Sequence, residues 1–313
     1  MIKIAFIMLC HAYPSVINQF IAKLSEFSQA DIYIHVDLNF PETREQIRQR
    51  ENTFVLSEEK SFYLQWGGIG LVKATLQMIE EVRESGKEYD YIWLISGQDY
   101  PIVSVKEIEK RLSEKPGMNY IDTFLPGDKR YYQKKKLCEV AYPTWINADQ
   151  APIKALKKLY MLFTGGRSHT FKAFIRKKPF DFDFTFGSQW WTLTSEAAFE
   201  ILQYSESHPE ILTYYEKSII PDESFFQTLF MRGPYQHYRS GNLTFSCWEN
   251  DSRHPKTLAA EDFGIIMEAR NSFCLARKMN NESRSLIRLI ERKIEKEADD
   301  TARSERTDDG GSI

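Results

Sequence analysis

Residues 218–226 read Ser-Ile-Ile-Pro-Asp-Glu-Ser-Phe-Phe, and the adjacent carboxylates Asp222 and Glu223 have the type and setting of a general base. Pro221 fixes φ near the helical value and lacks an amide proton, which suits the first position of a helix. The spacing predicts that Asp222 and Glu223 lie in a first helical turn, where the positive end of the helix dipole favours ionised acids. The same residues have a plainer reading, an acidic turn ahead of the amphipathic run Phe225, Phe226, Leu229 and Phe230. Nearer the start, His11, Asp37 and the quartet Ser96-Gly97-Gln98-Asp99 each follow an apolar run. Each is either a ligand contact at a strand end or a turn residue chosen for local backbone reasons.

The elements that must position these groups can be read from periodicity. Ile2 to Leu9, Asp31 to Val36, Thr53 to Leu56 and Tyr91 to Ile95 read as strands. Ser15 to Phe27, Pro41 to Arg50 and Gly70 to Arg83 read as helices, the last with Leu71, Ala74, Leu76, Ile79 and Val82 on a mostly apolar face. This βαβ series predicts an α/β fold whose mostly parallel sheet is covered by helices, with ligands gathering beyond the carboxyl ends of the strands. Beyond residue 105 the regularity fades. Pro126 to Lys136 reads as a basic, aromatic loop, and Ile153 to Lys178 as a second basic stretch containing Gly165-Gly166-Arg167. Each is either a solvated face or a loop that holds an anionic or sugar partner. Gly187 to Thr194 reads as a strand leading into a helix from Ser195 to Tyr204, short strands follow residue 234, and Phe263 to Phe273 is helical. Residues 281–300 form a charged helix, and the 301–313 end lacks apolar content and is expected to be disordered.

The chain of 313 residues has room for a substantial core, and its 41 basic and 44 acidic residues give a formal charge of −3. That balance argues against a protein whose main partner is nucleic acid. Cys10, Cys138, Cys247 and Cys274 are widely separated and read as reduced thiols, without zinc-ligand spacing. No apolar run approaches the roughly 18 residues of a membrane helix. A cytoplasmic protein is expected, with room for peripheral attachment to a membrane.

Several phrases occur in order: Tyr33-Ile-His-Val-Asp37, Trp66-Gly-Gly before Leu71-Val-Lys-Ala-Thr-Leu76, Tyr91-Ile-Trp-Leu-Ile-Ser-Gly-Gln-Asp-Tyr-Pro-Ile102, Gly187-Ser-Gln-Trp-Trp191, Pro221-Asp-Glu-Ser-Phe-Phe226 and Ala276-Arg-Lys278. Together they resemble the family of core-2 and I-branching N-acetylglucosaminyltransferases and peptide O-xylosyltransferases, over about residues 2–280. The resemblance implies a GT-A-like fold in a single catalytic domain, 1–280, with a nucleotide-binding half at 1–105 and an acceptor-binding and catalytic half at 106–280. It implies an inverting transferase that uses a UDP-sugar and needs neither metal nor cofactor. Glu223 matches the general base, with Asp222 beside it. Asp37 and Asp99 match positions near the uridine and donor sugar, Arg277 and Lys278 the basic pair that holds the diphosphate, and Arg253 a further phosphate-binding arginine. The anchor and dense cysteines of the animal members are absent from these residues, so the resemblance is to a soluble, prokaryotic-type member. Its acceptor would be a glycan or lipid-linked oligosaccharide, with loops 122–136 and 141–170 lining the acceptor side and Asp122, Lys129 and Trp248 as candidates.

The chemistry of such a transfer asks for these residue types. One carboxylate must take the acceptor's proton, and the charge on departing UDP must be met by a divalent ion or by fixed cations. Arg277 and Lys278 supply the second option, although two basic residues near a helix end would look the same. Asp181-Phe182-Asp183 has the form of a manganese-holding Asp-x-Asp, but it precedes the Gly187 to Trp191 phrase instead of following the strand at 91–95, where sheet logic would place it. Trp190 and Trp191 offer a sugar-stacking face, with Trp191 taken as the contact, and alternation along a strand predicts that one of the two is core. A metal-dependent transferase and a non-catalytic binder on the same fold remain as rival readings.

Overall fold

The computed structural model describes residues 1–141, 155–156, 158–159, 175–249 and 254–308, the last eight as backbone alone. Four strands, β1 (Ile4–Cys10), β2 (Ala30–Val36), β3 (Thr53–Val55) and β4 (Tyr91–Ser96), pair in parallel in the order β3-β2-β1-β4. After β5 (Tyr100–Pro101), the strands β6 (Asn119–Ile121), β7 (Trp191–Thr194) and β8 (Arg239–Ser240) extend the sheet to β3-β2-β1-β4-β7-β6-β8, with β7 antiparallel to both neighbours. A small second sheet joins β5 to β10 (Leu275–Arg277) and β9 (Thr244–Ser246). The expected mixed α/β architecture, a GT-A-like central sheet flanked by helices, is the one observed.

Alternation explains why β1 is apolar throughout. Ile4, Phe6, Met8 and Cys10 face a layer containing the helices Pro14–Leu24, Val105–Glu114 and Phe263–Ala269 and the start of the helix Arg284–Asp308. Ala5, Ile7 and Leu9 face the helices Gly70–Glu84, Ser195–Ser207 and Phe225–Arg232. A parallel strand covered on both faces has no solvent side on which to place polar residues.

Three expectations change. The basic stretch 126–136 is no simple loop: Lys129–Glu139 is a helix whose N-cap, Asp128, accepts the Arg130 amide at 2.8 Å. Only Tyr131 and Cys138 of that helix are buried, so the periodic apolar signal is nearly absent. The C-terminal helix continues to Asp308, past residue 300 where order was expected to end. Leu286, Ile287, Ile290 and Ile294 anchor its first turns. Finally, Asp222 and Glu223 lie in a 3-10 turn, Pro221–Glu223, one residue ahead of the helix Phe225–Arg232, so they precede its first turn. Gly165-Gly166-Arg167, Arg253 and residues 309–313 lie outside the described residues, as does most of loop 141–170.

Candidate active site

The strand order reverses direction at β1, which pairs with β2 on one side and β4 on the other, so the crevice of this sheet opens beyond their carboxyl ends. His11, Asp37 and Asp99 stand there. Asp37 follows β2, and its Oδ1 accepts the amides of Asn39 and Leu64 at 2.9 and 3.0 Å and the Asn39 side chain at 2.8 Å. The Leu64 bond pulls the loop before the helix Gly70–Glu84 over the strand ends. His35 secures the same loop from beneath: it is buried, its Nε2 accepts the Phe62 amide at 2.9 Å, and burial pushes its pKa down to about 4. His35 is thus a neutral structural histidine. His11 also sits below its ordinary pKa, first through burial, with Asp37 opposing and Lys278 and Arg277 reinforcing the shift.

Asp99 turns back into the fold. Its Oδ2 accepts the Ser96 amide at 2.8 Å, and its Oδ1 lies 3.5 Å from Arg277 Nε. Asp99 is 0% exposed, so it reaches a ligand only through Arg277, which narrows the donor contact expected of it to a supporting role. Arg277 ends strand β10 instead of flanking a helix, and Met279 N–H to Gln98 O at 2.7 Å fastens that strand to the end of β4. The Arg277 guanidinium lies 3.8 Å from the centre of the Trp190 ring, and its Nε and Nη1 are buried without a hydrogen-bond partner. Burial presses the pKa of both Arg277 and Lys278 down, and Asp99 works against it. Nε faces Asp99, and the buried Nη1, without a partner and beside a second cation, is suited to an incoming anion.

The carboxylate turn approaches from the other side of the crevice. Ile220 adopts φ 56° and ψ 51°, a left-handed conformation that strains a β-branched residue, held by its amide to Gly67 O at 2.9 Å. Glu223 is part-exposed and its Oε2 is paired with Lys134 Nζ. Asp222 is buried with Oδ1 unpartnered, and burial, then the neighbouring Glu223, raise its pKa from 3.8 to about 7. The sign of the resulting pH effect is fixed. Between about pH 4 and 7 the unfolded chain releases this proton and the folded chain holds it, so stability falls as pH rises through that window. Asp222→Asn, which cannot titrate, gains on the wild type across the same window and keeps a constant advantage above it. Melting temperatures measured from pH 4 to 8 check this; parallel curves would refute it.

One short segment joins the halves. Gly187 N–H donates to Glu223 O at 2.9 Å, and Trp190, three residues on, carries Arg277 on its ring. Three residues span at most about 11 Å, so the backbone of Glu223 and that of Trp190 are held as near neighbours. Only glycine fits at 187, where a Cβ would stand 2.0 Å from Asp122 O.

The structure brings His11, Asp37, Asp99, Arg277 and Lys278 together, and links the turn of Asp222 and Glu223 to them through the segment Gly187 to Trp190. It does not bring Trp191: both tryptophans are buried in one core cluster, but the Trp191 ring packs 5.5 Å from Phe226, while the Trp190 ring, 9% exposed, carries Arg277. A buried ring cannot stack on a sugar, so the Trp191 contact is withdrawn. Asp122 is occupied with the backbone and side chain of Asn242, and Lys129 and Trp248 are exposed. Asp181 and Asp183 are exposed on a loop whose phenylalanines pack on Tyr204 and Tyr214; Asp183 has Lys178 at 4.0 Å, and no contact among the described residues joins either aspartate to Asp99 or Arg277. Two residues were missed. Lys134 lay hidden in a run that looked like a solvated face, and the signal that could have exposed it was Asp128 as an N-cap. Trp66, 52% exposed beside the His254 ring, offers the open aromatic face next to the Gly67–Ile220 bond. A cavity of about 530 Å³ opens instead at the amino-terminal strand ends, beside Asp31, Lys87 and Tyr89, where Asp31 already engages the other two.

With this geometry in place, the chain was compared with known proteins. A family model, Core-2/I-Branching enzyme, matches residues 4–267. The chain belongs to the Core-2/I-Branching enzyme family. Among its relatives, Xylosyltransferase oxt of Drosophila melanogaster is 23% identical over 223 residues, covering 69% of this chain and 23% of that protein. Xylosyltransferase 1 of Rattus norvegicus is 24% identical over 255 residues, covering 79% of this chain and 28% of that protein. The chain therefore spans about a quarter of the length of the curated relatives it matches. The family match includes β1 to β4, the carboxylate turn and Trp190, and it stops eight residues before β10 begins. Among the described residues, no helix is long and apolar enough to cross a membrane.

Proposed function

We propose that this Core-2/I-Branching family member is an inverting glycosyltransferase that moves a sugar from a UDP-sugar to a hydroxyl of a glycan or lipid-linked oligosaccharide, without a metal ion, in surface polysaccharide assembly. N-acetylglucosamine and xylose are the favoured sugars, the first from the family's chemistry and the second from the xylosyltransferase relatives. The observation that carries the reading is the buried Arg277 guanidinium, its Nε turned to Asp99 and its Nη1 without a partner, lying over Trp190, which is three residues from the Gly187 N–H bonded to the Glu223 carbonyl. In the transfer, the acceptor oxygen attacks the anomeric carbon as its proton passes to Glu223. The bond from that carbon to the diphosphate breaks, and its electron pair leaves with UDP. Arg277 and Lys278 meet the charge that grows on the leaving group, Asp99 and Trp190 hold Arg277 in place, and neutral His11 offers a ring N–H alongside.

The test is UDP release from a panel of UDP-sugars by purified protein in EDTA, with and without pooled glycan acceptors. Release from one donor, unchanged by chelation, is the expected result. Loss of release in EDTA and its recovery with manganese would replace the fixed cations by a metal, and absence of UDP binding would overturn the enzyme reading altogether.

A further inference from the structure

We infer that Lys134 is the residue that positions the general base, holding Glu223 by Oε2 so that Oε1 is left to take the acceptor's proton. The inference rests on the assignment of Glu223 as base. Lys134 reaches Glu223 from the middle of the helix Lys129–Glu139, 89 residues away in sequence. That helix is fastened to the approach of the turn: Ile219 N–H donates to Leu137 O at 3.0 Å, and Ser218 Oγ and Arg176 Nη2 both reach Cys138 O. The backbone of Glu223 is fixed in turn by its own N–H to Ile220 O and by Gly187 N–H to its carbonyl. Helix, turn and strap are therefore set before the side chains meet, and Lys134 settles the remaining freedom of the carboxylate.

Among the described residues, the titratable groups around Glu223 are few. Lys134 and Cys138 come from the helix and Asp222 from its own turn, while Phe186, Gly187, Ile219 and Ile220 contribute none. The Cys138 thiol is buried, and Asp222 lies within the fold, so Lys134 is the one cation among these neighbours. The pair itself is 26% and 29% exposed. An ion pair so open to solvent adds little to stability, and its value lies in orientation.

Lys134→Gln tests this directly. The expected results are a fall of about tenfold or more in the rate of UDP release, with unchanged UDP affinity by calorimetry and an unchanged melting temperature. Lys134→Arg, which keeps the cation, restores the rate. A wild-type rate in Lys134→Gln overturns the inference, as does a rate loss that Arg fails to rescue or that comes with lost UDP binding. Persistent turnover in Glu223→Gln would instead remove the base assignment, a separate failure read in a different variant.

Discussion

Glu223→Gln abolishes most turnover, by about 10²- to 10⁴-fold in kcat, while UDP affinity stays close to that of the wild type. Glutamine keeps the length of the side chain and an oxygen that can still accept from Lys134, so the turn and its partner are preserved. What it loses is the capacity to take a proton. Asp222 cannot substitute, because its carboxyl is buried and retains its own proton up to about pH 7. Arg277, the cation proposed to receive the diphosphate, is held through Trp190 and Asp99, away from the substituted atom, which is why binding and turnover are expected to separate. Single-turnover kinetics with calorimetric UDP titration would show the split. Equal losses of affinity and rate would place Glu223 in donor binding instead of proton transfer.

Arg277→Gln is expected to produce the opposite pattern, weakening UDP binding by at least about 30-fold and destabilising the protein by about 3–5 kcal/mol. The second effect arises because Asp99 is wholly buried and loses the only guanidinium beside it among the described residues. Asp99→Asn in the Arg277→Gln background removes the stranded charge and recovers much of the stability, without recovering UDP affinity. Comparing the single and double variants by thermal unfolding and UDP titration separates the fold's need for the pair from the ligand's need for the cation. If the double variant also regains UDP affinity, Arg277 serves the core alone.

Much of this arrangement was legible in the residues. The parallel half of the sheet was visible because strands covered on both faces must be apolar throughout, and the polar residues that follow them stand out. Asp37, Asp99 and His11 fall where that logic predicts. Other features depend on parity or on distance along the chain, which local patterns do not encode. Alternation foretold that one of Trp190 and Trp191 is core, but choosing between them needs the register of β7 against β4, where Trp191 pairs with Leu94. The helix Lys129–Glu139 buries too little to show a period, so its pairing with a turn 89 residues later had no local trace. His35 and Asp37 belong to one phrase and are both buried acceptors holding one loop, through Phe62 N–H and Leu64 N–H, a shared task that the phrase itself does not reveal.

The segment from Gly187 to Trp190 has a bearing on how such enzymes diversify. In the proposed transfer it is a ruler that ties the backbone of the base, through Gly187 N–H to Glu223 O, to the ring beneath Arg277, and the interval so set would be common to every nucleotide diphosphate sugar, since the anomeric carbon always lies one oxygen from phosphorus. Xylose and N-acetylglucosamine differ at other carbons, outside the gauge. Selection can therefore exchange one sugar for another by reshaping the walls while leaving the ruler untouched, and a change of donor need not disturb the machinery that breaks the bond.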